Sequence, residues 1–332
     1  MVDLKTMALS QVGIGKDNPE TLSFKTYRNY AVTIANIITK EYGSDSLQNL
    51  RFTLQNNISG KLQRKPNIDI EHIKQLLMNS WHTELNFLLP TKIDEEFTRY
   101  SLHWAPVQAY YAIYLSLRGL FESCKDISNN THRSTLVKVS DWITKRSLFP
   151  YPWSCFCTGM SDLKNVKFHC FKGDIPKVSP LSIPTLSDLE GHYAMFLKTT
   201  RDRQFDKKKE NAKHIKTKSG KPKKSFSVQD KTRLDQELTP TTLFDGMYRL
   251  RIKSNYEEAE TYYLHDLATA DTIEFYNALN KIIFTTLFIS EYMIIEYLSF
   301  IEFERFYNEF DNKITSLALK SEGIFKRMPF YR

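Results

Sequence analysis

Glycine and proline are scarce, 11 and 12 in 332 residues. A turn-rich β sandwich or barrel needs more of both, so long helices are expected. Cysteine is scarcer, at four, with no disulfide-framework spacing, which points to a reducing compartment. The first 25 residues lack the apolar core of a secretory leader, and the expected location is the cytoplasm. "IIFTTLFISEYMIIEYLSFI" (282–301) has the length of a membrane span but contains Glu291 and Glu296. A carboxylate in mid-bilayer costs about 2.5–3.5 kcal/mol, so this segment reads as a helix buried inside the protein, with no membrane as partner. No P-loop, dinucleotide fingerprint, HExxH, nucleophile elbow or kinase signature occurs, and no cofactor is expected.

Aromatic residues, at 13%, are abundant and supply core volume. The formal charge of +8 sits in one place. Residues 201–233 hold 13 Lys and Arg against four acids, a net of +9, so the rest of the chain sums to −1. Few large apolar groups stand there, too few to offset the entropy of ordering. The expectation is a mobile basic loop, either solvated or offering Lys207, Lys208, Lys209, Lys213, Lys216, Lys218, Lys221, Lys223 and Lys224 to phosphates.

Apolar residues recur at three- and four-residue spacing over 23–43, 69–90, 103–124, 132–146 and 268–310, the period of helices that bury one face. Pro106 falls at a first helical turn, where its missing N–H costs nothing. Tyr110, Tyr111 and Tyr114, with Trp104, read as core more than as a ligand platform. Thr239 with Pro240 reads as a helix start. Residues 147–200 collect five prolines and three of the four cysteines, an irregular stretch with a small hairpin around "VKFHCFKGD". Cys155, Cys157, His169 and Cys170 are the candidate zinc ligands within it. Adjacent residues of a strand point to opposite faces, which favours a buried aromatic and thiol cluster over a metal centre.

"QAYYAIYLSLRGLF", "THRSTLVKVSDWI" and "YRLRIKSNYEEAE" resemble, in that order, helices of HEPN proteins, the small helical domains of prokaryotic toxins and nucleotidyltransferase partners. The resemblance implies an all-α protein: a HEPN-like bundle from 76–146 and 238–315, an N-terminal helical extension over 1–75, and an insertion over 147–237 carrying the basic loop 201–233. It also implies self-association as a dimer, and a place in a defence or toxin–antitoxin system.

In catalytic members an arginine is followed, after four to six residues, by a histidine and often a tyrosine two positions on. Carried over, Arg249 takes the arginine position and Tyr256 the tyrosine position, while Ser254 stands where histidine belongs, beside Asn255. Cleaving RNA without a metal needs a group that moves a proton near neutral pH, which histidine does and serine does not. Arg249 and Arg251 can still pair with phosphate. The expected function is therefore binding of RNA, more than DNA, or of a partner such as a nucleotidyltransferase or nuclease, without cleavage. The rival is a metal-independent ribonuclease with Arg249, Asn255 and Tyr256 in its site and a histidine from elsewhere. Arg99 with His103 and His132 with Arg133 lack the motif's order or spacing, and His265 lies sixteen residues beyond Arg249.

Overall fold

The computed structural model describes residues 19–43, 46–62, 67–124, 131–216, 219–223, 225–257 and 267–332; of the side chains, those of residues 19, 20, 256 and 257 are excepted. Helices dominate, and the only sheet among these residues has three short strands. Helix α1 (Pro19–Tyr42) is followed by α2 (Ser46–Ile58) and α3 (Ile70–Leu88). The Asp69 carboxylate starts α3 by accepting the His72 N–H at 3.0 Å, one of the four donors a helix start leaves over. Pro90 ends the run and opens the single turn α4 (Pro90–Ile93), and Asp94 caps α5 (Glu95–Tyr100). Helix α6 (Ala105–Ser123) starts with Pro106 in its first turn. Thr131 caps α7 (His132–Asp141), which continues as a π-helical turn, Trp142–Arg146.

The centre is a pair of helices. Helix α6 packs against α3 and against α11 (Thr269–Leu298), and α11 also packs against α1. Helix α11 is long and apolar enough to cross a membrane, yet 83% of its most apolar window is buried within the protein. It ends at Ser299, whose φ of 116° starts a new helix, α12 (Phe300–Lys313). That helix buries Phe303, Phe306 and Phe310, each contributing about 1.5–3 kcal/mol of apolar transfer. Residues 19–58 are not an appendage, because Phe24, Tyr30, Ile34, Leu50 and Leu54 belong to the same continuous core as α6 and α11.

A short helix, α13 (Ile324–Arg327), delivers Arg327 into this core. Its guanidinium donates to Glu84 of α3, through Nη2 at 2.9 Å and through Nη1. It also meets Glu291 of α11, Nε to Oε2 and Nη2 to Oε1, both at 2.8 Å. Trp81 Nε1 donates to Glu291 at 2.7 Å, and the Tyr331 hydroxyl donates to the other oxygen of the same carboxylate.

The central segment differs from expectation. Strand β1 (Phe156–Thr158) pairs antiparallel with β2 (Lys167–His169), the small hairpin, and on its other edge with β3 (Thr241–Thr242). Where a mobile loop was expected over 201–233, most of the described residues are helical. Helix α8 (Leu189–Asn211) runs through the first third and α9 (Val228–Gln236) fills the end, with an antiparallel bridge between Lys216 and Pro222. Phe205, Ala212, Ile215 and Leu234 bury together with Met160 as a second, small core. Arg201, also buried, donates to the carbonyls of Gly159 and Thr239 and pairs with Asp235 at 2.6 Å. A few apolar residues in register, plus one buried arginine, order a segment whose average composition argued against it.

Candidate functional site

The site is built around α10 (Leu243–Ile252) and the π-helical turn after it, Lys253–Glu257. The helix begins at Leu243 and not at Thr239, because Thr241 and Thr242 pair with β1 first. Asp245, buried, accepts the Thr242 N–H at 2.8 Å and its hydroxyl at 2.9 Å. It also accepts Gln204 Nε2 of α8 at 2.8 Å, which ties the two helices together. One residue on, Gly246 lies so close to Phe196 of α8 that a Cβ there would sit 2.4 Å from its ring. Any side chain at 246 would force α8 and α10 apart.

From this scaffold Arg249 and Arg251 diverge. Arg249 Nη1 donates to Thr199 Oγ1 at 2.8 Å and Thr200 Oγ1 at 3.3 Å, and Nη2 to the Tyr27 hydroxyl at 3.3 Å. Its Nε is buried without a partner. Thr199, Arg203 and Lys207 recur at four-residue spacing on α8, one face of that helix, and line an open cleft of about 520 Å³ with Asp202, Asp206 and Glu210. Lys253, one turn after Arg249, is only 8% exposed. Burial, then Arg203, Arg249 and Lys207, pull its ammonium down to about 8. Arg203 is lowered by burial and by Arg249, against Tyr27, Glu210 and Asp206. Lys207 is lowered by burial and by Arg203, against Glu210. The lining of the cleft comes from α8 alone, and Arg249 reaches that helix at Thr199 and Thr200.

Arg251 turns towards α6. Its Nη2 donates to the Tyr111 hydroxyl at 2.9 Å, and the guanidinium lies 5.0–5.7 Å from the rings of Tyr111, Tyr110 and Tyr248. His132, first residue of α7, joins them: Nδ1 lies 3.0 Å from the Tyr110 hydroxyl and its ring 4.3 Å from that of Tyr114. Burial, helped by Arg251, lowers its pKa, so the imidazole is neutral at pH 7. Tyr110 is buried, whereas Tyr111 and Tyr114 are half-buried and Trp104 is 49% exposed.

The motif positions fare unevenly. Ser254 is buried, its hydroxyl 3.4 Å from the Arg251 carbonyl, and Asn255 is half-buried. The Tyr256 side chain and His265 lie outside the described residues, as do Lys218 and Lys224. Lys208 pairs with Glu237, Lys209 with Asp206, and Lys223 with Asp230. Lys213, Lys216 and Lys221 are exposed. Sequence reasoning singled out Arg249 and Arg251 but missed Arg203, Lys253 and the place of His132. The four-residue spacings Arg203–Lys207 and Arg249–Lys253 were the available signal.

The zinc candidates do not share a centre. Cys155 Sγ donates to the Cys170 carbonyl at 3.2 Å, and His169 stacks on Phe156 with Nε2 2.9 Å from Thr158 Oγ1. Cys157 is buried and its thiol pushed up to about 12 by burial first, while Cys170 is exposed. Among the described residues no three His, Cys, Asp or Glu side chains gather as metal ligands. No family model, curated protein or solved structure matches the chain.

Proposed function

We propose that this chain is an RNA-binding protein that holds its ligand at Arg249 of α10 and the adjoining face of α8, and does not cleave it. On this reading it is a HEPN-like bundle of an intracellular prokaryotic defence or toxin–antitoxin system. A partner such as a nucleotidyltransferase or nuclease supplies the chemistry. The observation that carries the reading is Arg249 of α10 set against Thr199 and Thr200 of α8, the helix whose next turns carry Arg203 and Lys207. A cluster of like charge costs free energy in the isolated protein, and a bound polyanion offsets that cost. Ser254, where catalytic relatives by resemblance carry histidine, supports binding over cleavage.

The test is salt dependence. For single-stranded RNA, log affinity falls with log salt by about 0.7 per neutralised phosphate. Arg203→Ser with Lys207→Ser should flatten the slope by about 1.4; an unchanged slope removes the cleft from the mechanism.

One observation favours the ribonuclease reading as an alternative. His132 is a neutral imidazole beside Arg251, with Nδ1 engaged by Tyr110, an arrangement suited to accepting a proton near a bound phosphate. It requires degradation of RNA by the purified protein in EDTA, abolished by His132→Ala. Intact RNA across pH 5–9 would eliminate it.

A further inference from the structure

We infer that the pocket between α7, α8 and α10 takes the base of a nucleotide, whose edge meets Asp245 and Gln204 at the pocket floor. The choice of a nucleotide over other flat ligands rests on the RNA-binding reading. The pocket itself is a separate place: Gln204, Lys208 and Asn211 line it from α8, a face of that helix next to the one carrying Thr199 and Arg203.

Its volume is about 510 Å³, inside the range of about 300–1,000 Å³ usual for small-molecule sites. The walls are held in place from three directions. Gly246 admits Phe196 and so brings α8 against α10, and Gln204 donates to Asp245. Ser140 of α7 donates to the Pro240 carbonyl at 3.0 Å, just ahead of α10. Leu136 and Val137 of α7, with Leu238 and the Tyr248 ring, give the pocket apolar surface. The cleft beside Arg203 has none, since charged residues and Thr199 line it.

The floor selects for N–H donors. Asp245 is buried; its Oδ2 accepts the N–H and hydroxyl of Thr242, and its Oδ1 accepts Gln204 Nε2. A carboxylate offers about four acceptor positions, which leaves one on Oδ1. The Gln204 amide keeps its second N–H, while its Oε1 accepts the Thr241 hydroxyl at 2.7 Å. An acceptor and a donor therefore stand side by side, 2.8 Å apart. A buried carboxylate rejects an anion. The part of a ligand that enters must present an N–H beside an acceptor, on a flat body that suits apolar walls. The pairing edge of a nucleobase has that pattern, and proteins read unpaired bases through it.

The mouth has the opposite preference. Arg133 is exposed there, at the start of α7, and suits a phosphate. Lys208 is engaged by Glu237 at 2.8 Å. Lys207 lines both this pocket and the cleft beside Arg203, so the pocket adjoins the side of α8 that Arg249 touches.

Equilibrium dialysis of the full chain against the ribonucleoside 5′-monophosphates and against ribose 5-phosphate tests the inference. At least one nucleotide should bind about tenfold or more tightly than ribose 5-phosphate. Val137→Trp, at a partly exposed position of α7, fills the pocket. It should weaken that nucleotide by about tenfold or more, with helical circular dichroism unchanged. Arg133→Gln should weaken the nucleotide and leave the matching nucleoside unaffected. Single-stranded RNA separates the two sources of the base. RNA weakened by Val137→Trp assigns the pocket to a base of the strand, and RNA bound equally by variant and wild type assigns it to a free nucleotide. Nucleotides held no better than ribose 5-phosphate overturn the inference, and RNA binding still stands if RNA is bound. Nucleotide binding that survives Val137→Trp also overturns it. Binding of neither nucleotide nor RNA overturns both readings.

Discussion

Arg327 and Lys253 are both cations withdrawn from water, at 0% and 8% exposure, and their surroundings are opposite. Burial works against the charge of Arg327, but Glu291 and Glu84 outweigh it and hold its pKa well above the ordinary range. Around Lys253, burial and three further cations act in the same direction. The first group is closed: two carboxylates, a guanidinium, an indole N–H and a phenol share their hydrogen bonds. The second brings like charges near one another, with Arg203, Arg249 and Lys207 acting on Lys253 in the same sense as burial. A buried charge cluster that is closed joins parts of the fold, here the chain end to α3 and α11. One of like charge costs stability.

The largest effect expected from this contrast is at Arg327. Arg327→Met leaves Glu84 and Glu291 buried without their cation, and removing one partner of a buried pair costs about 3–5 kcal/mol. Urea unfolding followed by circular dichroism should show that loss. Combining it with Glu84→Gln and Glu291→Gln should recover part of it, since the uncompensated charge is then gone. A loss below about 1 kcal/mol for the single variant would mean that the network does not hold the C-terminal segment, and the contrast breaks.

At Lys253 the sign reverses. A lysine with its folded pKa at about 8 against an ordinary 10.5 disfavours the folded state once protonated. Its stabilising contribution is present above pH 10.5 and is lost as pH falls towards 8. Below that the penalty is constant, about 3 kcal/mol. Lys253→Met keeps the buried stem without the charge. It should therefore raise stability at pH 7 while weakening RNA binding. The gain should shrink to near zero at pH 10.5, measured as the difference between variant and wild type in urea midpoints. A variant less stable than wild type at pH 7 would show that Lys253 is satisfied within the protein.

How far these features were legible in the sequence depends on the distance along the chain over which they form. The α3, α6 and α7 helices came from periodicity, and Pro106 acts locally, so its residue type alone located the start of α6. Glu291 inside an apolar run correctly signalled a helix buried in protein. Its partner, Arg327, lies 243 residues from Glu84, and no local pattern announces it. The order in 201–233 was missed because average apolar content was weighed in place of register. Phe205, Ala212, Ile215 and Leu234 are few but fall where Met160 can cover them. Arg249 was singled out from the sequence, whereas its contacts with Thr199, Thr200 and Tyr27 were not. Helix α8 comes up against α10 because Gly246 admits Phe196 and Asp245 holds Gln204. His132 stood outside any motif by order, yet it reaches Arg251 through Tyr110, twenty-two residues before it in the chain.

The smallest effect expected is also the most specific. If an anion closes the Lys253 cluster as the glutamates close that of Arg327, binding should return its pKa towards the ordinary value. The groups that face it set the starting point: Arg203 and Lys207 of α8 and Arg249 of α10 lower it. Of their neighbours, Asp206 and Glu210 act in the opposite sense on Arg203. With the free ammonium at about 8, linkage predicts uptake of about 0.7 proton per ligand at pH 8.5 and almost none at pH 6.5. Calorimetry with pyrophosphate in two buffers of different ionisation enthalpy measures that number directly. Lys253→Met should abolish the uptake at pH 8.5, while Lys213→Ser with Lys216→Ser, on the exposed stretch beyond α8, should leave it intact. Uptake of equal size in Lys253→Met would assign the proton to another group. The likeness between a cluster closed by the protein and one closed by its ligand would then fail at the lysine on which it depends.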